Sequence, residues 1–453
     1  MKAVNGQEII QLFETWSPKK LACMENDPIG LAIGSLNKPI TKVLVTLDVN
    51  EAVADEAIAN GCELIIAHHP PIFRKLANIR TDNPAGKLYE KLIKHDIAVY
   101  AAHTNLDVAE GGVNDLLADT LQLENRSILE ETYAEDVLKL AVFVPTTHAE
   151  SLREALAKAG AGRIGAYEAC SYTTTGEGRF RALEGANPHV GVIGELHVEQ
   201  EVKVEVVFPA PIKNKVLKAM LNAHPYEEPA YDFIRLDQQT NIMGLGRVGY
   251  LPKEMTLREF AEFAKKQLDV PAVRVVGDLD STVKKVALVG GDGNKYIYTA
   301  KRAGADVFLT GDMYFHTAQD AQAIGLQIVD PGHHVEKVMI AGVAQKMAAL
   351  CADKKYTVEF VQSEVHNRTV FICIERGICV ANTRPAGNGA GKLWLVIGLM
   401  IAVFGIGMTL MTNNMNDKRI DEMTQQCEKD GGEAIVSKEK SFLSTSYKFE
   451  CKQ

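Results

Sequence analysis

Two histidine pairs, each following an apolar run, are the residues most able to do chemistry in this chain. His68-His69-Pro70-Pro71 follows CELIIA, and Asp330-Pro331-Gly332-His333-His334-Val335-Glu336 follows GLQIV. A histidine pair at a strand's carboxyl end sits where α/β sheets place ligands. The two prolines deny the first pair a helix, so its adjacent imidazoles diverge and each can serve a different ion. His103-Thr104-Asn105-Leu106-Asp107 ends another strand and brings a carboxylate to the same edge, while His333 and Glu336, three apart, share one helix face. His68, His69, Asp107, His333 and Glu336 are therefore candidate ligands for two divalent ions. Nitrogen and oxygen donors without sulfur suit zinc, manganese, iron, cobalt or nickel better than calcium. The same residues have plainer readings, Asp107 as a turn or N-cap carboxylate and Glu336 as an acid in a helix's first turn. His103, His316 and His334 stay outside the ligand set, as surface groups or supports around it. Asp312, four residues before His316, is a candidate partner for that histidine.

Side-chain nucleophiles find little support. No Gly-x-Ser-x-Gly elbow occurs and no cysteine has a partner histidine in sequence, so no catalytic side chain is assigned. Hydrolysis would fall to water activated by the ions. The glycine-rich stretch at 383–392 is no phosphate loop, since Ala386 and Leu393 stand where a glycine and a hydroxyl are needed.

The elements that must position these residues alternate. TKVLVTLDV reads as a strand, Asn50 caps a helix closing on Gly61, CELIIA is a strand, and a helix over Ala85 to His95 precedes a strand over Ile97 to Ala102. Strand–helix alternation returns from KKVALVGGDG to GLQIVDPGHH. The pattern predicts an α/β (α+β) chain with two α/β lobes, 1–127 and 246–372, forming one metal-binding module. Between them, 128–245 reads β-α-β-β-α-β, the order of an inserted ferredoxin-like domain. A linker (373–392), an apolar run (393–411) and a short tail (412–453) follow.

The run Leu393 to Met411 holds 19 residues without a charge, long enough for a single transmembrane helix. The N-terminus lacks an apolar segment before a small-residue cleavage site, so the main body is expected in the cytoplasm, anchored through 393–411. Cys427 and Cys451 would then lie outside, where a disulfide can persist. A net charge of -9, from 49 basic and 58 acidic residues, gives no basic footprint for nucleic acid.

Beyond these readings the chain resembles the Nif-three-like dinuclear-metal family, also described as GTP cyclohydrolase 1 type 2 homologues. The resemblance spans about 1–372 and rests on DPIGLAIG (27–34), TLDV (46–49), IIAHHPP (65–71), AAHTNLD (101–107), GLGRVG (244–249), TGDMYFH (310–316) and DPGHHVEK (330–337). It implies the same five ligands, a PII-like or CutA-like middle domain, and a homohexamer whose sites face an interior cavity. It also implies either metal-dependent hydrolysis of a nucleotide-like or phosphorylated small molecule, or metal delivery or sensing. The family's usual strand ending near an Asn-Thr sequence is replaced here by Glu364-Val365-His366-Asn367-Arg368-Thr369-Val370-Phe371. The apolar run and tail lie outside the pattern.

Overall fold

In the computed structural model, residues 4–365 are described continuously, together with short stretches between 371 and 452. They divide into a large unit, 1–369 with 373–379, and a second unit, 370–372 with 380–453. In the second unit, Glu433–Lys440 and Thr445–Lys452 pair antiparallel. The expected transmembrane run 393–411 and Cys427 lie outside the described residues. Among those described, no helix is long and apolar enough to cross a membrane.

The large unit opens with β1 (Val4–Asn5), α1 (Gly6–Trp16), β2 (Gly30–Ile33), β3 (Pro39–Ile40), β4 (Lys42–Thr46), α2 (Glu51–Asn60), β5 (Leu64–Ala67), α3 (Pro84–Lys94), β6 (Ala98–Ala101), α4 (Thr104–Val108) and α5 (Val113–Thr120). Helix α2 forms where the sequence predicts it. The Asn50 side chain accepts from the Val53 amide, and Gly61 closes the helix at φ 66°. Next come β7 (Glu124–Pro145), α6 (Ala149–Lys158), β8 (Tyr172–Arg181), β9 (Leu196–Pro209), α7 (Lys213–Ala223) and β10 (Tyr231–Thr256). The unit closes with α8 (Leu257–Gln267), β11 (Arg274–Val276), β12 (Thr282–Asp292), α9 (Ile297–Arg302), β13 (Val307–Gly311), α10 (Phe315–Ala323), β14 (Gln327–Asp330), α11 (Val338–Asp353) and β15 (Glu359–Gln362).

The two larger sheets of this unit are ordered β15-β4-β5-β6-β2 and β11-β14-β13-β12-β10-β7-β9-β8, and β1 pairs with β3 beside them. Strands β15, β4, β5 and β6 run parallel, as do β12, β13 and β14. The two lobes share a core. Phe13, Val43, Leu64 and Tyr100 from the first pack with Phe260, Leu288, Leu309 and Met339 from the second. Burying such side chains stabilises each by about 1.5–3 kcal/mol, so this shared core couples the lobes.

The middle elements β7 to β10 follow the expected order, but their boundaries differ from the sequence reading. Strands β7 and β10 are 22 and 26 residues long and run through both expected boundaries, pairing at Ser127↔Val248 and Ile128↔Arg247. Hydrophobic patterning marks where a strand is buried, not where its hydrogen-bond ladder stops. The segment's own core is narrower, built from residues such as Leu140, Val144, Leu156, Val204, Phe208 and Met220. Strand β8 runs over Tyr172–Arg181, through Gly176 and Gly178. Glycine weakens a strand interior, but ladder pairing to β9 at Gly176↔Glu201 and Gly178↔Glu199 overrides that preference.

Candidate metal centre

The five candidate ligands come from the carboxyl ends of parallel strands in the two sheets. His68 and His69 follow β5, Asp107 lies in α4 just after β6, and His333 and Glu336 follow β14. His333–Lys337 is a 3-10 helix and not the α-helix the spacing suggests. Residues three apart eclipse in that geometry, so the two side chains stand one above the other.

Glu336, only 3% exposed, is the hub. Its Oε2 lies 3.0 Å from His69 Nε2, 3.2 Å from His333 Nε2 and 3.7 Å from His68 Nε2. His68, His69 and Glu336 each place a ligand atom within 4.8 Å of the others. Asp107 joins through His68, with Oδ1 3.5 Å from its Nε2. Donors about 3–3.5 Å apart are what one ion with bonds of about 2.0–2.2 Å requires. His68 Nε2 and Asp107 Oδ1 are both buried, and neither finds a hydrogen-bond partner among the described residues. An orphaned imidazole nitrogen facing an orphaned carboxylate oxygen fits a cation between them.

The rear nitrogens of the histidines explain their orientation. His68 Nδ1 donates to Ala102 O at 2.8 Å, His69 Nδ1 to Asp48 Oδ1 at 2.7 Å, and His333 Nδ1 to Asp312 Oδ2 at 2.7 Å. Holding Nδ1–H this way leaves each Nε2 lone pair turned toward Glu336. Sequence reasoning missed Asp48, although it ends the strand-like TLDV segment, and paired Asp312 with the wrong histidine. His316 Nδ1 instead meets Gln319 Oε1 at 3.2 Å. It also missed Gly290-Gly291, where a Cβ on Gly291 would come within 2.7 Å of Glu336 Oε1. His103 stands beside the group, its ring 5.4 Å from that of His68 and its Nδ1 2.9 Å from Asp27 Oδ1.

Electrostatics follow from this crowding. Burial works against protonation of His69 and His333, but hydrogen bonds to Asp48 and Glu336, and to Asp312 and Glu336, more than offset it. Their pKa values are raised to about 9 and about 11. Burial pushes Asp107 up to about 6, whereas the surrounding imidazoles hold Glu336 well below its ordinary value. In the metal-free chain, protons occupy the nitrogens that an ion would need. At pH 7 metal uptake is therefore expected to release protons, and affinity should rise with pH as the solution approaches about 9. Calorimetric titration in buffers of different ionisation enthalpy reads this directly. A heat independent of buffer would refute it.

Residues 4–369 match the family Duf34/NIF3 (NGG1p interacting factor 3). The chain belongs to the Duf34/NIF3 family. It is 58% identical over 363 residues to a Bacillus subtilis protein named GTP cyclohydrolase 1 type 2 homolog, covering 80% of this chain and 97% of that one. A relative of the same name from Halalkalibacterium halodurans is 55% identical over 366 residues, covering 81% and 98%. Among solved structures, a Bacillus cereus protein related to NIF3 superposes with a TM-score of 0.76 at 55% identity, covering 81% of this chain and 99% of that one. A Staphylococcus aureus protein gives a TM-score of 0.67 at 32% identity, covering 81% and 98%.

Proposed function

We propose that this NIF3-family chain is a metal-dependent hydrolase that holds two divalent ions with His68, His69, Asp107, His333 and Glu336. Its substrate is a nucleotide-like or phosphorylated small molecule. The observation that carries the reading is the convergence of Glu336 Oε2 on three imidazole nitrogens, with His68 Nε2 and Asp107 Oδ1 orphaned beside it. Bound there, the ions supply Lewis acidity and bring the pKa of water toward neutrality. Asp48 and Asp312 orient the outer histidines, and buried Glu336 and Asp107 supply the negative charge that retains cations. The His69 and His333 side chains stay 25% and 39% exposed, which leaves one side of the group open to a small molecule.

The name carried by the relatives suggests GTP as the first substrate to try. Full-length protein purified without added metal is expected to contain two ions per chain by elemental analysis and to release formate from GTP, or phosphate from a nucleotide. Two bound ions without turnover of either would replace the hydrolase with a metal-delivery or metal-sensing protein. Fewer than one ion per chain would remove the dinuclear centre.

Three further features belong to the same proposal. The middle segment is an inserted ferredoxin-like domain of PII type, a reading supported by its separate core and by the strand order β10-β7-β9-β8. The chain assembles as a homohexamer, which light scattering reads as mass. Its main body is cytoplasmic and is anchored by 393–411, which fractionation reads as membrane-bound protein.

A further inference from the structure

The middle segment contains a cavity of about 830 Å³ that is separate from the metal centre and independent of the function proposed for it. Sites of this size take small organic molecules. Two glycines of β8, Gly176 and Gly178, leave part of its wall without side chains. Both line it, and a Cβ on Gly176 would project into open space. A Cβ on Gly178 would collide with the carboxylate of Glu201, which lies against this bare stretch of strand.

Glu201 is the unusual group in the wall. It is 8% exposed, yet it has a single hydrogen-bond donor among the described residues, Tyr226 Oη at 2.9 Å from Oε1. Among the described residues, none donates to its Oε2. A largely buried carboxylate that lines the cavity and has one oxygen free of protein donors can accept from a ligand bound there. The lining around it is aromatic. The rings of Phe180 and Tyr226 stand 6.0 Å apart, and His189 lies 6.3 Å from Tyr226. Aromatic faces beside a carboxylate attract organic cations.

The remaining charges in the wall narrow the ligand. Arg179 is held by Glu177 at 2.6 Å and Lys203 by Glu205 at 3.3 Å, so neither is poised for an anion. Arg181 and Glu228 carry opposite charges at the margin. A metal ion is also a poor fit. Among the described residues, His68, His69 and Glu336 are the one group of three metal-ligating side chains brought within reach of a common ion, and none of them lines this cavity.

We propose that this cavity binds a small protonated amine, whose N–H groups donate to Glu201 Oε2 beside the rings of Phe180 and Tyr226. The test titrates the full-length protein with n-butylamine, phenethylamine and putrescine, and with n-butanol, 2-phenylethanol and butyrate as neutral and anionic counterparts. At least one amine is expected to bind more tightly than its counterparts. Glu201→Gln, which keeps the shape and removes the charge, is expected to weaken that amine by about 10- to 100-fold, the worth of a hydrogen bond to a charged group. Gly176→Leu fills the space from a position with ordinary backbone geometry and should abolish binding, which keeps the test decisive if Glu201→Gln fails to fold. Glu336→Ala should leave amine binding unchanged, so failure of this site and failure of the metal centre are distinguishable. Alcohols binding as well as amines, equal affinity in Glu201→Gln, or no amine binding at all would overturn the proposal.

Discussion

Glu336→Ala is expected to lose the metal that the proposed centre would hold while the chain keeps its fold. The side chain contributes nothing to the apolar core, but its Oε2 is the one atom within 3.7 Å of all three imidazole Nε2 atoms. Removing it leaves His69 and His333 with their Asp48 and Asp312 partners only, pointing at an empty centre. Asp107→Ala reaches a single histidine, His68, and is expected to remove at least one ion per chain. Elemental analysis of both variants, with circular dichroism as the check on folding, reads the difference. Metal content unchanged from the parent in both would sink the five-residue ligand set. Equal loss in both, with the fold intact, would demote Glu336 from hub to one ligand among several.

Arg247→Met should cost about 3–5 kcal/mol of stability, the usual consequence of breaking one side of a buried ion pair. Arg247 is 6% exposed and grips Asp115 of α5 with two nitrogens, at 2.5 and 2.8 Å. Its third nitrogen donates to the carbonyls of Gly244 and Gly246 at 2.9 and 2.8 Å. The loss would take a donor from each of two carbonyls and both side-chain donors from Asp115, which the Gly111 amide still reaches at 2.7 Å. The site joins α5 of the first lobe to β10, so the lobes should loosen together. Urea unfolding of metal-free protein measures the effect. The exposed pair Arg80–Asp82 is the control, and Arg80→Met should leave the midpoint where it was. A midpoint shift for Arg247→Met no larger than the control's would show that the bridge does not hold the lobes.

Local chemistry carried much of this into the sequence. Asn50 and Gly61 mark the ends of α2 because a side-chain cap and a left-handed terminal residue act within one turn. His68-His69, His103 to Asp107 and His333 to Glu336 are legible for a related reason. Each follows an apolar strand-length run, and the carboxyl end of such a run is where a parallel sheet opens to ligands. The mixture of helices and strands in an α/β chain follows from the same periodicities. What sequence reasoning could not place was anything set by long-range register. The meeting of His69 with Glu336 spans 267 positions and depends on two sheets closing over one core. Asp48 and Asp312 look like ordinary loop acids until the packing turns an imidazole toward each. The eclipsed 3-10 pair at His333 and Glu336, the continuation of β7 and β10 through the expected domain edges, and the glycines that expose Glu201 to a cavity are equally tertiary. Residue type and spacing decide which groups can bind a cation, because that is a property of the side chains. Which groups share one cation is a matter of angstroms across the fold, decided by the packing of strands far apart in the chain.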